Sequence, residues 1–344
     1  MIARIRRRLH FAVADLLYYS GALALWRLFR QTMWRRQEVC VLGLHRVLTR
    51  SEQCRSNSLD SMVLNDLTYV KLLEYLEREF QVASLEALFR GPIEQAASSK
   101  PACILTFDDG WADNYTTAYP VLKKFGMPAV LFLATGSIGG RGGFWVEQLS
   151  RAWTRPSVRA QMNSVLSQAP GIPARQPVEL EDIVEWLKHM STEKRNSILE
   201  QILPKGEDVG CHEEVDSMLT WIQVVEMSEH GVEMGGHTVS HPLLCYENDA
   251  TVEGELRLSK QWLEEKLGKP VRAFAYPNGN WDARVRRWVQ QLGYDCAFTT
   301  RPGWYHPGQD PYTIRRILLH DGNVTGRDGQ FSPAMLSLTL AGRA

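Results

Sequence analysis

His237 and His241 stand four apart in the stretch Gly235-Gly236-His237-Thr238-Val239-Ser240-His241-Pro242. Imidazoles at that spacing can reach one metal ion from a helical turn or across a tight loop, and two nitrogens plus one carboxylate leave a coordination position open for water. Such a donor set belongs to a hydrolytic rather than a structural metal centre. The glycine pair before it and the proline after it favour a loop at a strand end over a helix interior. Carboxylates come from Asp108-Asp109-Gly110, which follows the apolar run Ala102–Phe107. Adjacent acids beside a buried strand must be solvated, paired or bound to a cation. The plainer alternative is that they cap a turn, with Gly110 supplying the positive φ. A third polar cluster, Pro277-Asn278-Gly279, follows the apolar run Arg272–Tyr276.

The elements that would position these clusters read as alternating strands and helices. Glu38–Leu44, Ala102–Phe107, Ala129–Ala134, Val232–Gly236, Arg272–Tyr276, Asp295–Thr299 and Thr313–Leu319 read as short buried strands. Between them lie helical patterns: Leu67–Leu76, Pro120–Phe125 with a proline in its first turn, Trp221–His230, Ala250–Leu267 stopped by Gly268, and Asp282–Leu292. Alternation of this kind makes an α/β fold with a parallel sheet, and the number of units favours a distorted (β/α)7-type barrel. In such a barrel the C-terminal strand ends open on one face, so clusters far apart in sequence converge there. Residues 145–217 break the alternation and read as a mainly helical insertion with a Pro- and Gln-rich loop at Gln168–Pro177. Residues 37–325 thus form the barrel with its insertion, and 326–344 a C-terminal tail.

Composition narrows the classes further. With 39 basic and 39 acidic residues among 344, nothing in the overall charge argues for nucleic acid. No Walker loop is present, and no GxGxxG follows a strand. The charge is unevenly spread, however: residues 1–36 carry eight arginines and one acid, Asp15, a net +7 that leaves the body at −7. The apolar run Phe11–Trp26 is short of the ~20 residues needed to span a bilayer, and Asp15 and Arg27 set it apart from a secretory signal. Residues 2–36 read as an amphipathic helix lying on an anionic membrane surface or packed on the protein's own body. Six scattered cysteines without a CxxC pair point to a reducing compartment, which with the basic helix gives a cytoplasmic protein peripheral to the inner face of the membrane.

Thr106-Phe107-Asp108-Asp109-Gly110 with His237-Thr238-Val239-Ser240-His241, and more weakly Phe274-Ala275-Tyr276-Pro277-Asn278-Gly279, resembles the polysaccharide deacetylases of carbohydrate esterase family 4 over roughly Val39–Leu319. The resemblance implies Asp108 as general base, with Asp109, His237 and His241 as ligands of one divalent ion: zinc, cobalt, nickel or iron. It implies the backbone N–H of Asn278 as a donor to the tetrahedral oxyanion, and Tyr276 and Pro277 beside the substrate. A distal leucine and histidine that hold the acetyl group and donate a proton align with Leu319 and His320, with His45 a rival donor. The arginine that commonly opens the third motif and orients the base is replaced by Ala275, which leaves Arg315 or Arg316 to orient Asp108. Trp111, and Phe144 and Trp145 at the start of the insertion, either stack on a sugar ring or cover the barrel mouth.

The function implied is metal-dependent removal of an N-acetyl group from an amino sugar. The substrate would be a polysaccharide or a lipid-linked glycan precursor of capsule, exopolysaccharide or cell-envelope synthesis. Two other readings remain open on the residues alone: hydrolysis of a formyl or other small non-polymeric amide, and an inactive carbohydrate-binding protein on the same fold.

Overall fold

The computed structural model describes residues 2–33, 38–88, 100–141, 143–167, 179–203, 214–306 and 308–342. Its centre is a parallel sheet of seven strands: β1 (Val39–Leu44), β2 (Ala102–Phe107), β3 (Ala129–Leu133), β4 (Val232–Gly236), β5 (Ala273–Ala275), β6 (Cys296–Phe298) and β7 (Ile317–Leu318). Their order is β7-β1-β2-β3-β4-β5-β6, with a two-residue strand, Gln81–Val82, laid on the start of β2. The segment 314–318 meets both edges. Ile317 and Leu318 pair with Leu42 and Gly43 of β1, while the Ile314 N–H donates to the Ala297 carbonyl (2.9 Å) and the Ile314 carbonyl accepts from the Thr299 N–H (2.8 Å). The result is the distorted barrel expected from the alternation.

Every residue of β1, β2 and β3 is buried, as parallel strands covered on both faces require. Alternation still sorts the side chains. Val39, Val41, Ile104, Val130, Phe132, Ala273, Ala275 and Phe298 fill the barrel interior, whereas Cys40, Leu42, Leu44, Leu105 and Leu131 pack outward against helices such as Asp66–Glu79 and Asp249–Leu267.

The insertion consists of the helices Trp145–Trp153, Pro156–Ser167, Leu180–Lys188 and Thr192–Ile202 around a small core of its own, including Leu149, Met162, Ile183, Leu187 and Leu199. Its Pro- and Gln-rich loop lies outside the described residues. The helical N-terminus is broken in two, Ile2–Tyr19 and Ala22–Met33, by a turn at Ser20–Gly21 where Gly21 takes φ 79°. Residues 34–36 lie outside the described set. The stretch read as a C-terminal tail forms the helix Pro333–Ala341. Leu336 joins the main core, the Leu340 carbonyl accepts from the Trp304 indole (3.0 Å), and Ala334 and Met335 bury Phe11 and Ala14 of the N-terminal helix. A 19-residue segment with three leucines, a methionine and a phenylalanine has apolar surface to cover, which a solvated tail would leave in water.

Candidate metal and catalytic site

Three strand ends deliver the three clusters. Asp108 continues β2 by donating its N–H to the Leu44 carbonyl (2.9 Å), and His237 continues β4 through the Leu133 carbonyl (3.0 Å). Asn278 sits in the turn after β5, lining the same cavity of about 460 Å³ as Asp108, Asp109, His237 and His241. Gly279 takes φ 75°, and a Cβ there would run into the backbone of Thr300, so that turn admits only glycine. Among the described residues, the non-glycine positions with positive φ are Asp109 (77°), Thr238 (69°), His241 (58°) and Asn278 (55°), all in the site. Each such residue costs about 1 kcal/mol or more, a strain the rest of the fold must hold. Part of the hold is visible: both oxygens of Glu255 bind the histidine loop, taking the Val239 N–H (2.7 Å), the Ser240 N–H (2.9 Å) and the Ser240 hydroxyl (2.6 Å).

Asp109, His237 and His241 each present one ligand atom within 4.8 Å of the others. The Asp109 Oδ1 lies 3.5 Å from His237 Nε2 and 3.4 Å from His241 Nε2, and it is buried without a hydrogen-bond donor. His237 Nδ1 is 2.7 Å from the Ala275 carbonyl, an acceptor only, so Nδ1 carries the proton and the neutral ring aims the Nε2 lone pair at that carboxylate oxygen. An orphaned carboxylate oxygen faced by two imidazole nitrogens is suited to a cation between them, and the three donors fit a divalent metal of the zinc type. The charges agree. Burial alone would raise the Asp109 pKa, yet positive charge on the rings facing it holds it well below the usual range, and the two aspartates raise the His237 pKa against its burial, so the pocket favours a cation beside this carboxylate; burial pushes His241 down to about 3.

Asp108 stands apart from this trio. Burial would raise its pKa, but the Arg316 guanidinium grips it with two parallel hydrogen bonds (2.6 and 2.7 Å) and holds it below the ordinary carboxylate value. Arg316 is fully buried and is itself fixed by the Thr299 carbonyl (3.0 Å) and the Thr106 hydroxyl (3.1 Å). Of the two arginines proposed to orient Asp108, Arg316 is the one bonded to it.

Other expected site residues are placed differently. Trp111 is fully buried and cannot stack on a sugar; its indole donates to Asp109 Oδ2 (3.0 Å) while Arg46 lies over its ring at 4.2 Å. Arg46, also fully buried, binds Asp113, Asp216, Ser56 and Ser58, so barrel and insertion are tied together beneath the ligand carboxylate. The expected effect of Trp111→Phe, which keeps the ring and removes the N–H, is a loss of about 10–100-fold in metal affinity, read by competition with a chelator. An unchanged affinity would mean that the indole does not position Asp109. Tyr276 and Pro277 are buried as well, Tyr276 giving its hydroxyl to the Tyr312 carbonyl (3.0 Å), and neither lines the cavity. Leu319 points into the core and Leu318 takes its place on the cavity wall, a one-residue difference in a strand, where successive side chains face opposite ways. His320 lines the cavity, as does His45, whose Nε2 is 3.9 Å from Asp108 Oδ2.

Sequence reasoning missed Lys188 and Glu147. Lys188 reaches from the insertion to the Asn278 side-chain oxygen (2.9 Å), and Glu147 is a buried acid whose pKa burial pushes up to about 7. Both lie in helices whose local pattern gives no sign of a distant barrel mouth. With Phe144 and Trp145 they make the insertion a wall of the cavity.

Comparison with known proteins accords with this arrangement. The protein YxkH of Bacillus subtilis (strain 168), which carries the name of the same family, is 23% identical over 237 residues; they are 69% of this chain but 58% of that protein, so this chain corresponds to little more than half of it. Among solved structures, the Streptococcus pyogenes deacetylase PplD in complex with acetate superposes with a TM-score of 0.55 at 20% identity, covering 84% of this chain and 94% of PplD. IcaB from Ammonifex degensii gives 0.53 at 18% identity over 88% and 96%. These two likenesses concern the fold. Residues 95–297, more than half of the sequence and the span that carries Asp108, Asp109, His237 and His241, match the polysaccharide deacetylase model, and the chain belongs to that family.

Proposed function

We propose that this protein is a metal-dependent hydrolase that removes the acetyl group from an N-acetylated amino sugar in a polysaccharide or a lipid-linked glycan precursor. The observation that carries the reading is the division of labour between neighbours: Asp109 joins two histidines in a cation site, while Asp108 is kept ionised by Arg316 outside it. A divalent ion held by Asp109, His237 and His241 would supply Lewis acidity for the amide carbonyl and for the attacking water. Asp108 accepts the proton of that water as the carbonyl carbon is attacked. The Asn278 backbone N–H, held in a strained turn, would meet the developing oxyanion. The proton taken by Asp108 would pass to the departing amine, and His320 would hold that amine by a hydrogen bond from Nε2: its Nδ1 accepts from the Gly322 N–H (3.2 Å), which places the neutral ring's proton on Nε2. Leu318 offers apolar surface for the acetyl methyl. The test is acetate release from acetylated hexosamine oligomers by metal-stripped and metal-restored protein. Release only after restoration supports the reading, and metal binding without acetate on any substrate overturns it.

The N-terminal helices are proposed to rest on an anionic bilayer. One face of Ile2–Tyr19 is covered by the protein itself through Phe11 and Ala14, but Leu9, Val13 and Leu16, at helical spacing, are 63, 39 and 69% exposed. Leu25 and Phe29 of the next helix are 67 and 65% exposed. The net +7 of residues 1–36 supplies the complementary charge. No helix among the described residues is long and apolar enough to cross a membrane. The full chain is expected to float with phosphatidylglycerol vesicles, less so at high salt or after Leu9→Glu with Leu16→Glu, and not with phosphatidylcholine. Failure to float with either lipid would refute the contact.

A further inference from the structure

A second cavity of about 680 Å³ opens beside the catalytic one and shares its Phe144 and Trp145 wall. Val239 and Ser240, from the loop between His237 and His241, form its other side, so a ligand passing over Trp145 would reach from one cavity into the next. Among its lining residues is Arg195, on the insertion helix Thr192–Ile202. Only 4% of this residue is exposed, its Nε is buried with no hydrogen-bond partner, and its guanidinium carbon lies 5.0 Å from the centre of the Trp145 ring.

A buried guanidinium normally has its donors filled, because losing water without gaining an acceptor is costly. The acids around Arg195 do not fill them. Glu247, the acid whose charge acts on it, takes the Thr192 N–H at 2.6 Å, and Glu200 stands at the exposed rim. Burial pulls the guanidinium below its ordinary pKa and Glu247 makes up only part of that loss. Gln148, Asn196 and Ser240 add neutral polar groups to the lining. Arg46 and Arg316, which are buried as deeply, have every guanidinium nitrogen bonded within the protein.

We propose that Arg195 and the cavity around it form a subsite for an anionic oxygen group, a phosphate or a carboxylate, carried by the glycan next to the amino sugar being deacetylated. The inference rests on the deacetylase reading and names the charge class of its substrate. A sugar joined to a carrier through phosphate and a polymer containing acidic sugars both present that chemistry, with the Trp145 wall offering apolar surface to the sugar ring between the two cavities.

The direct test is calorimetric titration of the full chain with N-acetylglucosamine 1-phosphate, with a disaccharide of N-acetylglucosamine and glucuronic acid, and with neutral diacetylchitobiose. It needs no turnover, so it stands apart from the test of the activity. At least one anionic probe is expected to bind about tenfold or more tightly than the neutral one, in line with a charge-assisted pair, and Arg195→Gln is expected to erase the difference while Arg195→Lys keeps part of it. Preference for the phosphate identifies an ester-linked substrate, and preference for the uronate an acidic polymer; either supports the subsite. Equal binding of all three probes by the wild type overturns it, as does an Arg195→Gln variant that loses anionic and neutral ligands alike. Where acetate is released, the ratio of kcat/KM between anionic and neutral substrates should follow the same pattern.

Discussion

Asp108→Asn is expected to lower acetate release by about a thousandfold while leaving one equivalent of metal bound. General-base catalysis contributes roughly two to four orders of magnitude, and asparagine keeps the shape and an acceptor for Arg316 but cannot take a proton. Asp109, His237 and His241 are untouched by the change, so metal content should not move. Steady-state kinetics with metal analysis of the same samples checks both halves. A fall of less than about tenfold would remove Asp108 from the role of base, and a parallel loss of metal would place it among the ligands.

Arg316→Met should be the most damaging single substitution for stability, at about 3–5 kcal/mol by denaturant unfolding, because it leaves the Asp108 carboxylate buried with no counter-charge. Arg316 makes two hydrogen bonds to Asp108 and is wholly buried, so water cannot replace it. The pH dependence has a definite sign. Burial alone would raise the Asp108 pKa, and Arg316 brings it below the ordinary 3.8. The pair's stabilisation is therefore present above that value and lost as pH falls through the folded-state pKa, and wild type and variant should converge in acid. The double variant Asp108→Asn with Arg316→Met should recover part of the loss, since no lone charge is then buried. If the double is as unstable as the sum of the singles, Arg316 acts through packing and not through the base. Arg316→Lys keeps the charge but not the fork, and should fall between wild type and methionine.

Much of this molecule was legible in its order of residues. The seven buried strands could be read from short apolar runs bounded by turn residues, since a parallel strand covered on both faces has no reason to alternate with polar ones. Asp109, His237 and His241 were legible as a group because they lie at strand ends in tight local motifs. Where the reading failed, the missing information was orientation. Trp111 stands two residues after Asp109, and only its packing against Arg46 decides that the indole turns inward to Asp109 instead of outward to a sugar. Leu318 and Leu319 are chemically alike, and only the register of β7 on β1 decides which one faces the cavity.

The sequence by itself determined which groups are available: two histidines four apart and two adjacent carboxylates, each pair at a strand end of an alternating α/β chain. Tertiary structure alone decided which arginine binds Asp108, that the insertion forms a wall of the site, and that the terminal helix covers one face of the N-terminal one. Spacing along the chain specifies contacts within a turn or a strand. Partners separated by 208 residues, as Asp108 and Arg316 are, meet only because the last strand returns to the first, and that closure is set by the packing of the whole barrel.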